Sequence, residues 1–158
     1  MLSGKAGTGK SIILIHMMYT LVSAMNVTYN DEDLTPDELL ELGVRISLSN
    51  KIRDYVKRHG NLKIAFVVPM TSIRKTFKAV FSASKGTGLK SNMVMGPQDV
   101  LKEDYDIVFV DESHRLARRK GITSYGSFDE ACARLGLDPM VSTQLDMIQK
   151  RSKYSVLV

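Results

Sequence analysis

Apolar residues follow two rhythms along the chain, and the rhythms predict alternating helices and strands. From Ile12 to Met25 they run nearly all round a helical projection, interrupted by His16, Tyr19, Thr20 and Ser23. That pattern predicts a helix from Gly9 or Lys10 to about Met25, packed inside an α/β layer. It is too short and too polar for a membrane span. Val27-Thr28-Tyr29 predicts a short strand and Asn30 to Asp33 a turn. Thr35-Pro36-Asp37-Glu38 has the form of a helix N-cap with proline in the first turn. A helix through Ser49 to Arg58 should close at Gly60.

The continuous apolar run Lys63 to Val68 predicts a buried strand, stopped by Pro69. Thr71 to Phe81 reads as a helix with Ile73, Phe77 and either Val80 or Phe81 on one face. Ser84 to Ser91 reads as a basic, glycine-containing loop. Met93 to Met95 predicts a short strand and Pro97 to Val100 the start of a short helix. Asp106 to Asp111 is a second buried strand, with Asp106 expected as a surface residue at its flank. Leu116 to Ser127 is polar and loop-like. Helices are expected over Ser127 to Leu135 and Ser142 to Lys150, and a last strand over Lys153 to Val158. Strands alternating with helices imply a parallel sheet covered on both faces.

Composition adds bounds. The 158 residues suit one domain, residues 1–158, with a core of its own. Cys132 is the one cysteine, so no disulfide forms within the chain, which fits a reducing, cytoplasmic setting. Nothing resembles a secretory leader or a membrane anchor. The net charge is +5, and its excess falls in residues 61–125, where eleven basic groups face six acidic ones. Such an excess marks either a polyanion-binding face or a solvated surface.

Two segments carry recognisable chemistry. Gly4-Lys5-Ala6-Gly7-Thr8-Gly9-Lys10-Ser11 is a complete Gly-x-x-x-x-Gly-Lys-Ser phosphate loop, followed at once by its helix. The glycines let backbone N–H groups approach phosphates, and the helix adds the positive end of its dipole. Lys10 is expected on the β- and γ-phosphates of ATP, and Ser11 on Mg2+. The alternative is a glycine-rich surface turn. Asp106-Ile107-Val108-Phe109-Val110-Asp111-Glu112 then ends a buried strand in two acids, at the sheet edge where ligands gather. Asp111 suits the metal and Glu112 suits orienting or deprotonating the attacking water, which makes the pair hydrolytic. The alternative is an acid pair that stabilises a following helix.

Gly4 to Ser11, Val67 to Ser72 and Val110 to Leu116 together resemble the Schlafen-type DNA/RNA helicase domain family, a superfamily 1-like branch of P-loop ATPases. Gly96 to Val100, Phe128-Asp129, Leu135 to Leu137, Thr143 to Asp146 and Ser152 to Tyr154 extend the likeness over most of the chain. The resemblance implies a RecA-like motor domain, the first of two, in which ATP hydrolysis drives movement on single-stranded DNA or RNA. It places Thr71, Arg74 and Lys75 against a nucleic-acid backbone, with helix capping and a solvated face as the alternatives. It gives His114 and Arg115 a role in coupling nucleotide state to neighbouring segments. Lys78 extends the first group. Arg115, Arg118, Arg119 and Lys120 form a second basic cluster, a candidate contact for nucleic acid or a partner domain, with a disordered basic loop as the alternative. Tyr125 and Phe128 are candidates for base stacking or for plain core and loop anchoring.

Ser113 stands where alanine or glycine is usual. Only Met1-Leu2-Ser3 precede Gly4, and the sequence stops within Val156-Leu157-Val158. Both ends therefore read as truncated, with a second motor domain and its arginine finger elsewhere, which would leave this piece weak in hydrolysis. A nucleotide-dependent switch or AAA-type module without nucleic acid is the rival function. A small-molecule kinase is a third, disfavoured by the Asp111-Glu112 pair.

Overall fold

Strand residues Ile64–Val67 (β1), Val94–Met95 (β2), Tyr105–Val110 (β3) and Ser152–Leu157 (β4) pair in the order β2-β1-β3-β4, every neighbour parallel. The computed structural model describes residues 9–25 and 35–158, and the statements below concern those residues. The expected Val27–Tyr29 strand, the Asn30–Asp33 turn and Gly4 to Thr8 lie outside them.

Side-chain alternation along β1 divides the core. Ile64, Phe66 and Val68 face one layer with Leu14, Met18 and Val22 of helix Lys10–Ala24 (α1) and Phe81 of helix Thr71–Ala83 (α3). Ala65 and Val67 face the other, with Phe128, Ala131 and Cys132 of Tyr125–Leu135 (α4) and Met147 and Ile148 of Gln144–Lys150 (α5). Residues at i and i+2 share a face of a strand, so one apolar run supplies two layers. Phe66 is flanked by Phe77, edge-on at 5.2 Å, and by Phe81, stacked at 5.9 Å. This settles the choice on α3: Phe81 is buried and Val80 is exposed.

The helix over Pro36–His59 (α2) is longer than its sequence signals indicated. Thr35 and Glu38 form a full capping box, with the Thr35 N–H donating to Glu38 Oε2 at 2.8 Å. Gly60, at φ 89°, ends it. Gly43 lies inside without breaking it, a local cost of about 1 kcal/mol relative to alanine. α2 packs on α1. The all-round apolarity of α1 nevertheless leaves Ile12, Ile13 and Met17 exposed.

Asp106 corrects an expectation. It is buried, not superficial. Its carboxylate accepts from the Tyr55 hydroxyl, from Lys63 N–H at 2.8 Å and from Lys153 Nζ at 2.8 Å. The network ties the starts of β1, β3 and β4 to α2, at the sheet edge opposite the candidate site.

Candidate active site

The carboxyl ends of β1 and β3 and the start of α1 converge. Gly9, the N-cap of α1, has φ 76° and ψ 16°, in the left-handed region that glycine enters without penalty. Its carbonyl accepts from Ile13 N–H at 3.1 Å, the first bond of the helix. Lys10 and Ser11 therefore sit in the first turn, where N–H groups lack helical partners and the dipole favours anions.

Ser11 Oγ donates to Asp111 Oδ1 at 2.8 Å. Asp111 is fixed by its own N–H, which donates to the Val67 carbonyl at 3.0 Å and continues the β1–β3 ladder. It is 2% exposed. Burial raises its carboxyl above the ordinary aspartate range. The Ser11 hydroxyl opposes that rise, the neighbouring Glu112 charge adds to it, and the Lys10 charge lowers it. A buried carboxylate beside a hydroxyl oxygen and a lysine is a donor set that fits a small hard cation. Mg2+ commonly takes one or two protein oxygens and completes its shell from phosphate and water. Ser11 and Asp111 are the residues that can hold it, and no larger cluster of His, Cys, Asp and Glu occurs among the described residues.

Glu112 leaves the strand with φ 51° and ψ 47°, the one non-glycine residue with positive φ among those described. This conformation is uncommon outside Gly, Asn and Asp and is concentrated at functional sites. It swings the chain into the short 3-10 turn Ser113–Arg115, whose Ser113 N–H donates to the Val158 carbonyl at 2.7 Å. The Glu112 carboxylate is part-exposed. Oε2 accepts from Arg115 Nε at 3.2 Å and lies 3.3 Å from His114 Nε2. Both residues expected to couple the site to its surroundings thus touch Glu112 directly.

The Thr71 group is arranged differently. Arg74 is folded inward: Nη2 donates to Thr71 Oγ1 at 3.0 Å and to the Pro69 carbonyl at 3.4 Å, and Nη1 lies 3.9 Å from Asp99 Oδ2. Its guanidinium occupies the space a Cβ on Gly96 would need. Arg74 therefore straps the turn after β1 to the turn after β2. Met70 holds the N-cap position of α3 without a side-chain bond, so neither Thr71 nor Ser72 caps it. Lys75 is exposed.

The Arg118–Lys120 segment is structured. Arg118 bridges Thr143. Arg119 makes two 2.8 Å bonds to Asp129 and lies over the Tyr125 ring at 4.9 Å. Phe128 is wholly buried and belongs to the core. Sequence reasoning missed Gln144, whose backbone N–H donates to the Ala117 carbonyl and whose Oε1 accepts from Ala117 N–H, both at 3.0 Å. The Thr143–Asp146 capping box was the available signal, because it fixes where α5 begins.

A family model described as Schlafen group 3, DNA/RNA helicase domain, matches residues 1–158. The chain belongs to that family, and its all-parallel α/β sheet is consistent with a RecA-like fold. No curated protein and no solved structure matches it significantly. No described helix is long and apolar enough to cross a membrane.

Proposed function

We propose that the domain binds ATP with Mg2+ at the start of α1 and hydrolyses it as a motor module of a DNA/RNA helicase. The observation that carries this reading is the 2.8 Å contact between Ser11 and Asp111. It joins the last residue of the phosphate-loop motif to the acid at the end of β3, the two places from which such sites draw metal ligands. Lys10 and the backbone of Gly4 to Gly9 hold the phosphates. Mg2+ supplies charge neutralisation across the phosphate oxygens. Glu112 orients the attacking water and takes its proton. Thr71 and Lys75 contact a nucleic-acid backbone, while Arg74 sets the position of Thr71.

A nucleotide-dependent switch without nucleic acid is the second reading. The inward Arg74 favours it, because that side chain is spent within the fold. Phosphate release with and without oligonucleotide decides between them. The helicase reading expects Mg2+-dependent ATP hydrolysis that single-stranded DNA or RNA stimulates and that K10A abolishes. ATP binding with no response to either nucleic acid would leave the switch.

A further inference from the structure

Carboxylates are distributed unevenly in this chain. No Asp or Glu occurs between Asp54 and Asp99, an interval containing eight lysines and arginines. In the fold this interval builds β1, α3, β2 and the loop between α3 and β2. α3 starts at the carboxyl end of β1 and returns toward the opposite edge of the sheet. The loop at its end, Ser84 to Lys90, therefore lies away from Asp111.

Two grooves meet on that flank. One, of about 840 Å³, is lined by Lys63, Lys78, Lys90, Asn92 and Lys102 together with Asp99 and Glu103. The other, of about 510 Å³, is lined by Lys85, Lys90, Gly86, Gly88 and serines including Ser82 and Ser91. Lys90 belongs to both, so the surface is continuous. Its two carboxylates are already engaged: Glu103 with Lys63 at 2.8 Å, and Asp99 with Lys102 at 3.0 Å. Lys78, Lys85 and Lys90 form no ion pair among the described residues and are exposed. Elsewhere some cations are paired, as in Arg119–Asp129, Arg151–Asp104 and Lys153–Asp106, and others, such as Lys51, Lys57 and Lys150, form no ion pair among the described residues. This flank differs in that its three unpaired lysines line two joined grooves. Gly86 and Gly88, at φ 79° and 81°, leave the loop backbone bare of side chains beside the lysines. Unpaired lysines flanked by hydroxyls, an amide and open backbone are the groups that contact phosphate oxygens.

We propose that Lys78, Lys85 and Lys90 form a surface for a nucleic-acid phosphate backbone, on the β2 flank and separate from the nucleotide site. The proposal rests on the nucleic-acid reading above and adds a path that the Thr71 turn does not supply. The contact is electrostatic and reads no sequence, because the two aromatic residues that line the grooves are held in the fold: Phe81 is buried in the core, and Tyr105 is half-buried with its hydroxyl donating to Met95 Sδ at 3.6 Å. It is independent of nucleotide, since none of the three approaches Asp111.

The test is fluorescence anisotropy of labelled oligothymidylate and of a labelled duplex over a salt series. The wild type is compared with K78A/K85A/K90A and with K51A/K57A/K150A, which removes the same charge from exposed lysines elsewhere. The flank variant is expected to lose affinity at low salt, and its log K against log salt slope to become shallower by about 2 for the single strand. The control variant is expected to keep the wild-type slope, and binding of a fluorescent ATP analogue to stay unchanged in both. The duplex arm shows which form of backbone the surface takes. An unchanged slope in the flank variant, or an equal loss in the control, overturns this surface and leaves the nucleic-acid reading standing. A wild type that binds neither oligonucleotide at low salt removes both.

Discussion

Ser11 Oγ donates to Asp111 Oδ1 at 2.8 Å across one hundred residues of chain. The bond joins the first turn of α1 to the end of β3, and burial makes it consequential. An aspartate whose folded pKa lies above its unfolded value holds the proton more tightly when folded. Its contribution to stability is therefore fully present below the unfolded pKa, about 3.9, and is lost as pH rises through the folded pKa. At neutral pH, ionised Asp111 weighs against the fold. D111N is expected to melt a few degrees higher than wild type without ligand and to lose the Mg2+-dependent part of ATP binding. Thermal melts with and without MgATP check both. A variant that melts lower and still gains stability from MgATP would contradict the assigned role.

Ser11 separates metal ligation from packing. S11A removes one oxygen and little volume. Mg2+-dependent ATP affinity is expected to fall at least about tenfold, while the metal-free melting temperature moves little. Titration with a fluorescent ATP analogue at several Mg2+ concentrations measures the difference.

Glu112 is expected to act on the rate and not on binding. E112Q keeps the left-handed turn and the side-chain length but cannot take a proton. Hydrolysis should fall about 10²–10⁴-fold with nucleotide affinity preserved. Single-turnover phosphate release alongside equilibrium binding reads the split. A parallel loss of both would make Glu112 a binding residue.

Much of this site is written locally, and the rest depends on distant partners. The phosphate-loop motif and the acids after β3 are contiguous strings, so their types and the elements bearing them follow from short-range pattern. The fate of Arg74 does not. It turns inward because Gly96, on another strand's end, lacks a Cβ, and no local pattern couples those positions. Asp106 looked superficial because its partners Tyr55 and Lys153 come from α2 and β4. The extent of α2 was hidden by Gly43 and by exposed Leu39, Leu40 and Val44, which blur a one-sided apolar face. Glu112 at φ 51° has no signature in a residue type that seldom adopts it.

The Asp106 network predicts acid sensitivity. Burial alone would raise this carboxyl, but hydrogen bonds from Lys153, Tyr55 and the Lys63 N–H outweigh it and hold the pKa below the ordinary value. Stability from a depressed carboxyl is present above its unfolded pKa and is lost as pH falls through the folded one. Wild type should therefore lose stability on acidification below about pH 4. D106N should be less stable at neutral pH and less sensitive to acid. Melting temperature against pH for the two proteins gives the comparison. Parallel curves would show that other carboxylates set the acid limit.

Gln144 is expected to position Glu112 without touching nucleotide. Its backbone and side chain bracket Ala117 with two 3.0 Å hydrogen bonds. The Ser113 N–H bond to Val158 holds the other end of the same turn. Between these anchors lie His114 and Arg115, which contact the Glu112 carboxylate. Q144A removes one anchor, at a stability cost of about 1–2 kcal/mol for a part-buried N–H left without its acceptor. If the anchor sets the Glu112 geometry, turnover falls well beyond the change in ATP affinity. Q144E retains an oxygen to accept from Ala117 N–H and should restore most of the rate, which a general loss of packing would not allow. Phosphate release, nucleotide affinity and melting temperature for both variants distinguish the cases. If Q144A lowers the melting temperature but leaves turnover unchanged, the α5 anchor holds the fold and not the catalytic turn.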